Sequence, residues 1–163
     1  MRVSLRSDAH IFVRDGDEWT QQQKLTADDA GRDDIFGISV SISDSYAIVG
    51  ASWDNDDGGD SGSAYIFVSE DDEWTQQQKL TADDAAAGDT FGSSVSISDN
   101  YAIIGAPDED DDDNRDSGSA YIFKLGGGEW DQLQKLTADD AAAGDTFGKC
   151  VSIKGDYTII GGS

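Results

Sequence analysis

The segment Glu-Trp-Thr-Gln-Gln-Gln-Lys-Leu-Thr-Ala-Asp-Asp-Ala occupies residues 18–30 and recurs unchanged at 73–85. It returns with two substitutions at 129–141. Trp19, Trp74 and Trp130 therefore recur at steps of 55 and 56 residues (19 to 74, 74 to 130), and Phe36, Phe91 and Phe147 keep the same steps. A fixed period of this length is the mark of one supersecondary unit copied in tandem. Copies of this kind build surfaces more often than they each carry an active site.

Each period holds four short apolar runs separated by turn residues. In the central copy they are Val95-Ser96-Ile97-Ser98, Tyr101 to Ala106, Ala120-Tyr121-Ile122-Phe123 and Trp130 to Leu136. Val, Ile, Tyr, Phe and Trp suit a pleated, packed surface, so these runs read as strands a, b, c and d. Asp44-Ser45, Asp99-Asn100 and Gly155-Asp156 fit two-residue hairpin loops between a and b. The alternation predicts that Val40, Ile42, Val95, Ile97, Val151 and Ile153 share one side. The segment Ala-Asp-Asp-Ala-Ala-Ala-Gly-Asp is too short for an independent helix and suits a single turn. The predicted fold is all-β, a β-propeller of four-stranded antiparallel blades, about three blades per chain.

Phe91-Gly92, followed by Ile104-Gly105-Ala106-Pro107, resembles the FG-GAP repeat of integrin alpha-subunit heads and secreted microbial proteins. Phe36-Gly37 with Gly50-Ala51-Ser52, and Phe147-Gly148 with Gly161-Gly162-Ser163, match in register. So do the strands at 62–67 and 118–123. The resemblance implies propeller blades, a non-catalytic module for extracellular adhesion or binding, and often bound calcium. It also implies an extracellular or cell-surface location, with an unidentified protein or glycan as ligand. Integrin-type repeats carry their calcium loop between strands a and b. Here that place holds only a tight turn, too short to wrap an ion that needs six or more oxygens.

The acid lies instead between b and c. Asp54, Asp56 and Asp60 in one copy, and Asp108, Asp110, Asp112 and Asp116 in the next, are the candidate metal ligands, with calcium as the expected cation. Their loops differ in length by one residue, as exposed sites often do. In a four-stranded meander this loop and the d-to-a connection at 81–90 emerge on the same rim. That places both acid-rich segments on one face.

Aligned strand by strand, residues 1–30 form strands c and d, 31–85 a blade, 86–141 a second blade and 142–163 strands a and b, within one tandem-repeat domain. Two copies joined at these half-blades would make a six-bladed homodimer, which leaves no sheet edge open.

The net charge of −23 argues against nucleic acid and anionic membranes as partners. It suits cations, cationic ligands or a salt-adapted surface. No apolar run is long enough for a membrane-spanning helix and no signal peptide is present, so an export signal, if the parent protein is secreted, lies outside this chain. His10 and Cys150 are each the only residue of their type. They stand where other copies carry Tyr and Ser, and no nucleophile–base arrangement can be built. The leading function is a binding module with an acidic face. The alternative is a structural assembly unit of a larger repeat protein.

Overall fold

The computed structural model describes residues 7–31, 33–110 and 116–163. Among these residues the chain forms β-strands joined by turns, with no helix. β1 (Ala9–Asp15) and β2 (Glu18–Leu25) form a two-stranded half-blade, here half-blade I. β3 (Ser39–Ser43), β4 (Tyr46–Ala51), β5 (Ser63–Glu70) and β6 (Glu73–Leu80) form blade II. β7 (Ser94–Ser98), β8 (Tyr101–Ala106), β9 (Ser119–Gly126) and β10 (Glu129–Leu136) form blade III. β11 (Cys150–Lys154) and β12 (Tyr157–Gly161) form half-blade IV. Within each blade the strands pair antiparallel in chain order, as a meander.

The a-to-b loops have two residues, since Ser43 pairs with Tyr46, Ser98 with Tyr101 and Lys154 with Tyr157. Asp44, Asp99 and Gly155 take left-handed φ of 51°, 53° and 56°. Asp tolerates that region at modest cost, which is why it stands there. The Ala/Asp-rich connections make successive turns, as their length predicts.

The middle strands of each complete blade are covered on both faces over most of their length. Ile48, Ile66 and Leu80 of blade II pack against Val95, Ile97, Phe123 and Trp130 of blade III. The opposite face of blade II offers Ala47, Val49, Tyr65 and Phe67 to Leu25 of half-blade I. Two-sided burial explains why the b and c strands are continuous apolar runs rather than alternating ones.

The a strands do alternate. Ser41 Oγ accepts the Ile97 N–H and Ser96 Oγ accepts the Ile153 N–H, so the serines face the following blade. The aliphatic set faces the preceding blade. Val95 and Ile97 are buried there, whereas Val40 and Ile42 are 60% and 57% exposed. The difference is one of neighbours: strands a and b, which cover this position elsewhere, have no counterpart in half-blade I.

Glycines make the blades fit closely. A Cβ on Gly50 would drive into the carbonyl oxygen of Gly92, and one on Gly105 into that of Gly148. The Phe-Gly of one blade is thus seated on the Gly-Ala of the blade before it. Ser39 and Ser94 hydroxyls donate to the same two carbonyls, at 2.8 and 2.7 Å.

Candidate functional site

The b-to-c loop of blade II and the d-to-a connection that follows that blade lie side by side. The Gly88 N–H donates to the Gly59 carbonyl at 2.9 Å, Thr90 to Asp60 at 3.1 Å and Phe91 to Ser61 at 3.0 Å. Blade III repeats this, with the Thr146 N–H on the Asp116 carbonyl and Phe147 on Ser117. Two acid-rich segments are zipped together by backbone bonds on one rim, which is how both come to share a face.

At the inner edge of that rim a lysine projects from each d strand. In blade II the Lys79 ammonium reaches Asp29 at 2.7 Å and Asp54 at 3.1 Å, and also contacts Asp56. It lies over the Tyr65 ring, whose hydroxyl donates to Asp54 at 2.8 Å. In blade III Lys135 reaches Asp84 at 2.9 Å and Glu109 at 2.7 Å, over the Tyr121 ring. In half-blade I Lys24 pairs with Asp8, which also bonds His10 at 2.9 Å.

Asp54 and Glu109 occupy the same repeat position, and one methylene changes their partners. Asp54 serves the tyrosine and leaves the Ser63 hydroxyl without a partner. Glu109 reaches further and accepts from Ser119 at 2.6 Å, leaving the Tyr121 hydroxyl without one.

The charges respond to this packing. Burial works against the Lys79 charge, but hydrogen bonds to Asp29, Asp56 and Asp54 outweigh it and hold the ammonium pKa well above its ordinary value. Lys135 is raised in the same way by Asp84 and Glu109. Burial also opposes the Asp29 and Asp84 charges, yet the lysine bonds pull both carboxyls below the usual range. Asp34 and Asp89 go the other way. Burial pushes them up, although each accepts a backbone N–H three residues earlier, from Gly31 and Ala86.

The predicted metal residues divide accordingly. Asp54 is buried and Asp56 exposed, and both are tied to Lys79. The Asp60 N–H donates to Asn55 at 2.7 Å, closing the loop on itself. Asp108 accepts from the Thr90 hydroxyl at 2.8 Å, and Asp110 accepts the Asp116 N–H at 2.6 Å. Asp112 lies outside the described residues.

Asp29, Asp54 and Asp56 offer oxygens within 4.8 Å of one another, a group that could hold a metal ion. Their meeting point is taken by the Lys79 ammonium, so calcium, which needs six to eight oxygens, does not fit while the lysine is in place. The roles of Asp29, Lys79, Glu109 and Lys135 escape a reading by acid density. The available signal was the lysine recurring before each Leu25, Leu80 and Leu136.

The FG-GAP repeat profile matches residues 19–67, 74–123 and 130–163. The chain belongs to the FG-GAP repeat family. The first two matched units start on a d strand and continue into strands a, b and c of the next blade, and the third starts on β10 and continues into β11 and β12, so a unit of this FG-GAP chain straddles two blades. The Phe-Gly and Gly-Ala pairs are the residues that meet across the blade interface described above. No curated protein matches the chain.

FG-GAP propellers are typically extracellular and non-enzymatic. Among the described residues no helix is long and apolar enough to cross a membrane.

Proposed function

We propose that this chain is a non-catalytic, extracellular propeller module of the adhesion type, which binds positively charged ligands on its acidic rim. The observation that carries the reading is the zipped pair of acid-rich segments repeated on one rim. Exposed Asp28, Asp57 and Asp83 crown it, outside the lysine pairs of the inner edge. Carboxylates held at fixed spacing lose less freedom on binding than those of a mobile acidic loop, which favours a defined stoichiometry. Long, flexible cationic side chains can reach the outer carboxylates without displacing Lys79 or Lys135. Calcium is the competing cation, and it must draw its ligands from these outer groups.

Calorimetric titration with a lysine oligomer, and separately with calcium, tests the reading at low and at molar salt. Saturable binding of the oligomer at fixed stoichiometry is expected, with affinity falling as salt rises. Diffuse heats erased by salt would overturn it. They would favour the second reading, an assembly unit without a ligand of its own. The observation on that side is internal neutralisation, since Lys79 and Lys135 already balance the innermost carboxylates.

A further inference from the structure

Among the described residues β1 pairs only with β2, and β12 only with β11. Beside β1 runs an apolar groove lined by Ala9, Ile11, Leu25, Val40, Ile42 and Val49. On the other half-blade Tyr157 and Ile159 are 84% and 73% exposed. Their counterparts in blade III are Tyr101, half-buried, and Ile103, fully buried. We propose that the occupant of the groove is the β11–β12 hairpin of a second copy of this chain. Two copies thereby complete each other's half-blades and close a six-bladed ring.

The chain contains its own template for the joint. In blade II, β4 pairs with β5 through Tyr46–Val68, Ala47–Phe67, Ile48–Ile66 and Val49–Tyr65. Blade III repeats this register through Ala102–Phe123, Ile103–Ile122 and Ile104–Tyr121. Transferred by repeat position, it sets Tyr157 against Val13, Thr158 against Phe12, Ile159 against Ile11 and Ile160 against His10 of the partner copy. Phe12 is 52% exposed in the single chain, whereas Phe67 and Phe123 are each 3% exposed.

Three further contacts between complete neighbours have one half present and unused at each end. First, Gln23 clasps the Trp74 backbone, donating to its carbonyl at 2.7 Å and accepting its N–H at 2.8 Å. Gln78 clasps Trp130 at the same two distances. Gln134 is the next glutamine in the series, and Trp19, 65% exposed, is the tryptophan that a second copy brings to it. Second, the Tyr46 and Trp130 rings meet edge to face at 5.6 Å. By position, Tyr101 then receives Trp19 of the partner copy, entering the cleft between Tyr101, Ile122, Ile153 and Tyr157. Third, Gly50 and Gly105 each lie under the Phe-Gly carbonyl of the following blade, while the nearest atom to a Cβ on Gly161 is Cys150 Cβ at 3.7 Å. In the ring, Gly161 lies under the Gly37 carbonyl of the partner copy.

Gly161 supplies the test, because a side chain there fits the single chain and collides only in the ring. Sedimentation equilibrium in molar salt is expected to give a mass twice the 17.3 kDa of one chain. Gly161→Val is expected to weaken association at least a hundredfold and leave the circular dichroism spectrum unchanged. Gln134→Ala and Trp19→Ala should weaken it about tenfold or more, while Gly126→Ala, with nothing near its Cβ, should not.

A monomer mass persisting at the highest soluble concentration would overturn the proposal. So would a Gly161→Val protein that dimerises as well as the parent, since the register would then be wrong. A ladder of masses growing with concentration would overturn the closed pair in favour of an open chain of copies.

Discussion

Lys79 is the residue on which the inner rim turns. Its side chain is 19% exposed and that of Asp54 only 5%. Replacing the lysine by methionine keeps an unbranched apolar side chain but removes the ammonium over Tyr65 and leaves the Asp54 charge without its counter-ion. Breaking a fully buried pair costs about 3 to 5 kcal/mol. Partial exposure of Lys79 lowers the expectation to roughly 2 kcal/mol, read from the urea midpoint. Asp54→Asn combined with Lys79→Met removes both charges and is expected to recover part of the loss. Acid has a related effect. Asp29 and Asp84 have folded pKa values below the ordinary 3.8, so their contribution is complete above 3.8 and is lost as pH falls below it through the lowered folded values. Asp34 and Asp89, raised by burial, oppose folding once ionised, and protonation relieves them as pH falls through their raised values toward 3.8. The thermal midpoint is therefore expected to change little, or to rise slightly, on acidification toward pH 4 and to drop below it. Asp89→Asn should flatten the upper part of that profile. A midpoint that falls steadily from neutral pH would contradict this assignment.

At the scale of the strand and blade, the hairpin pattern was legible because each turn and each alternation is a local property. The role of the glutamine triplet was not. Phe67 pairs with Gln76 and Ile66 with Gln78, so Gln77 is bulged out of the ladder. Gln22 and Leu133 occupy the same bulge in the other copies. The bulge reorients the run, so that Gln76 accepts the Asp28 N–H of the connection preceding blade II while Gln78 clasps Trp130 of the blade after it. A period-two reading of the strand has no way to anticipate that, since the bulge breaks the period. Acid density likewise pointed to Asp54 and Asp56 but not to the lysine between them, because that pairing depends on the cross-strand register that sets Lys79 beside Tyr65, under the b-to-c loop. The glycine contacts give a sharp contrast. Gly105→Ala places a Cβ against the Gly148 carbonyl with no flexible side chain to yield, and is expected to cost about 2 kcal/mol or more, in the range of overpacking. Gly126→Ala meets nothing and should lie within about 0.5 kcal/mol of the parent. Equal effects of the two in chemical denaturation would contradict the close blade contact.

For the whole molecule, charge sets the conditions under which the blades hold together. A net charge of −23, with much of the acid on one rim, makes self-repulsion long-ranged in dilute buffer. The screening length falls from about 30 Å near 0.01 M salt to about 3 Å near 1 M. The thermal midpoint is expected to rise across that range, and a flat or falling midpoint would show that the lysine pairs already balance the rim. The near-identity of the copies matters in another way. Half-blade I and blade II carry the same thirteen residues at 18–30 and 73–85, and the joints reuse contacts: the glutamine clasp joins half-blade I to blade II and blade II to blade III, and the glycine contact joins blade II to blade III and blade III to half-blade IV. During refolding, a strand from one blade meets several docking surfaces that it cannot tell apart. Blades displaced by one unit satisfy most of the same contacts, so the error carries little local penalty. Refolding should then contain a slow, concentration-dependent phase in which misregistered molecules come apart and try again. A molecule assembled from interchangeable parts gains a simple rule for construction and gives up the means to proofread its order.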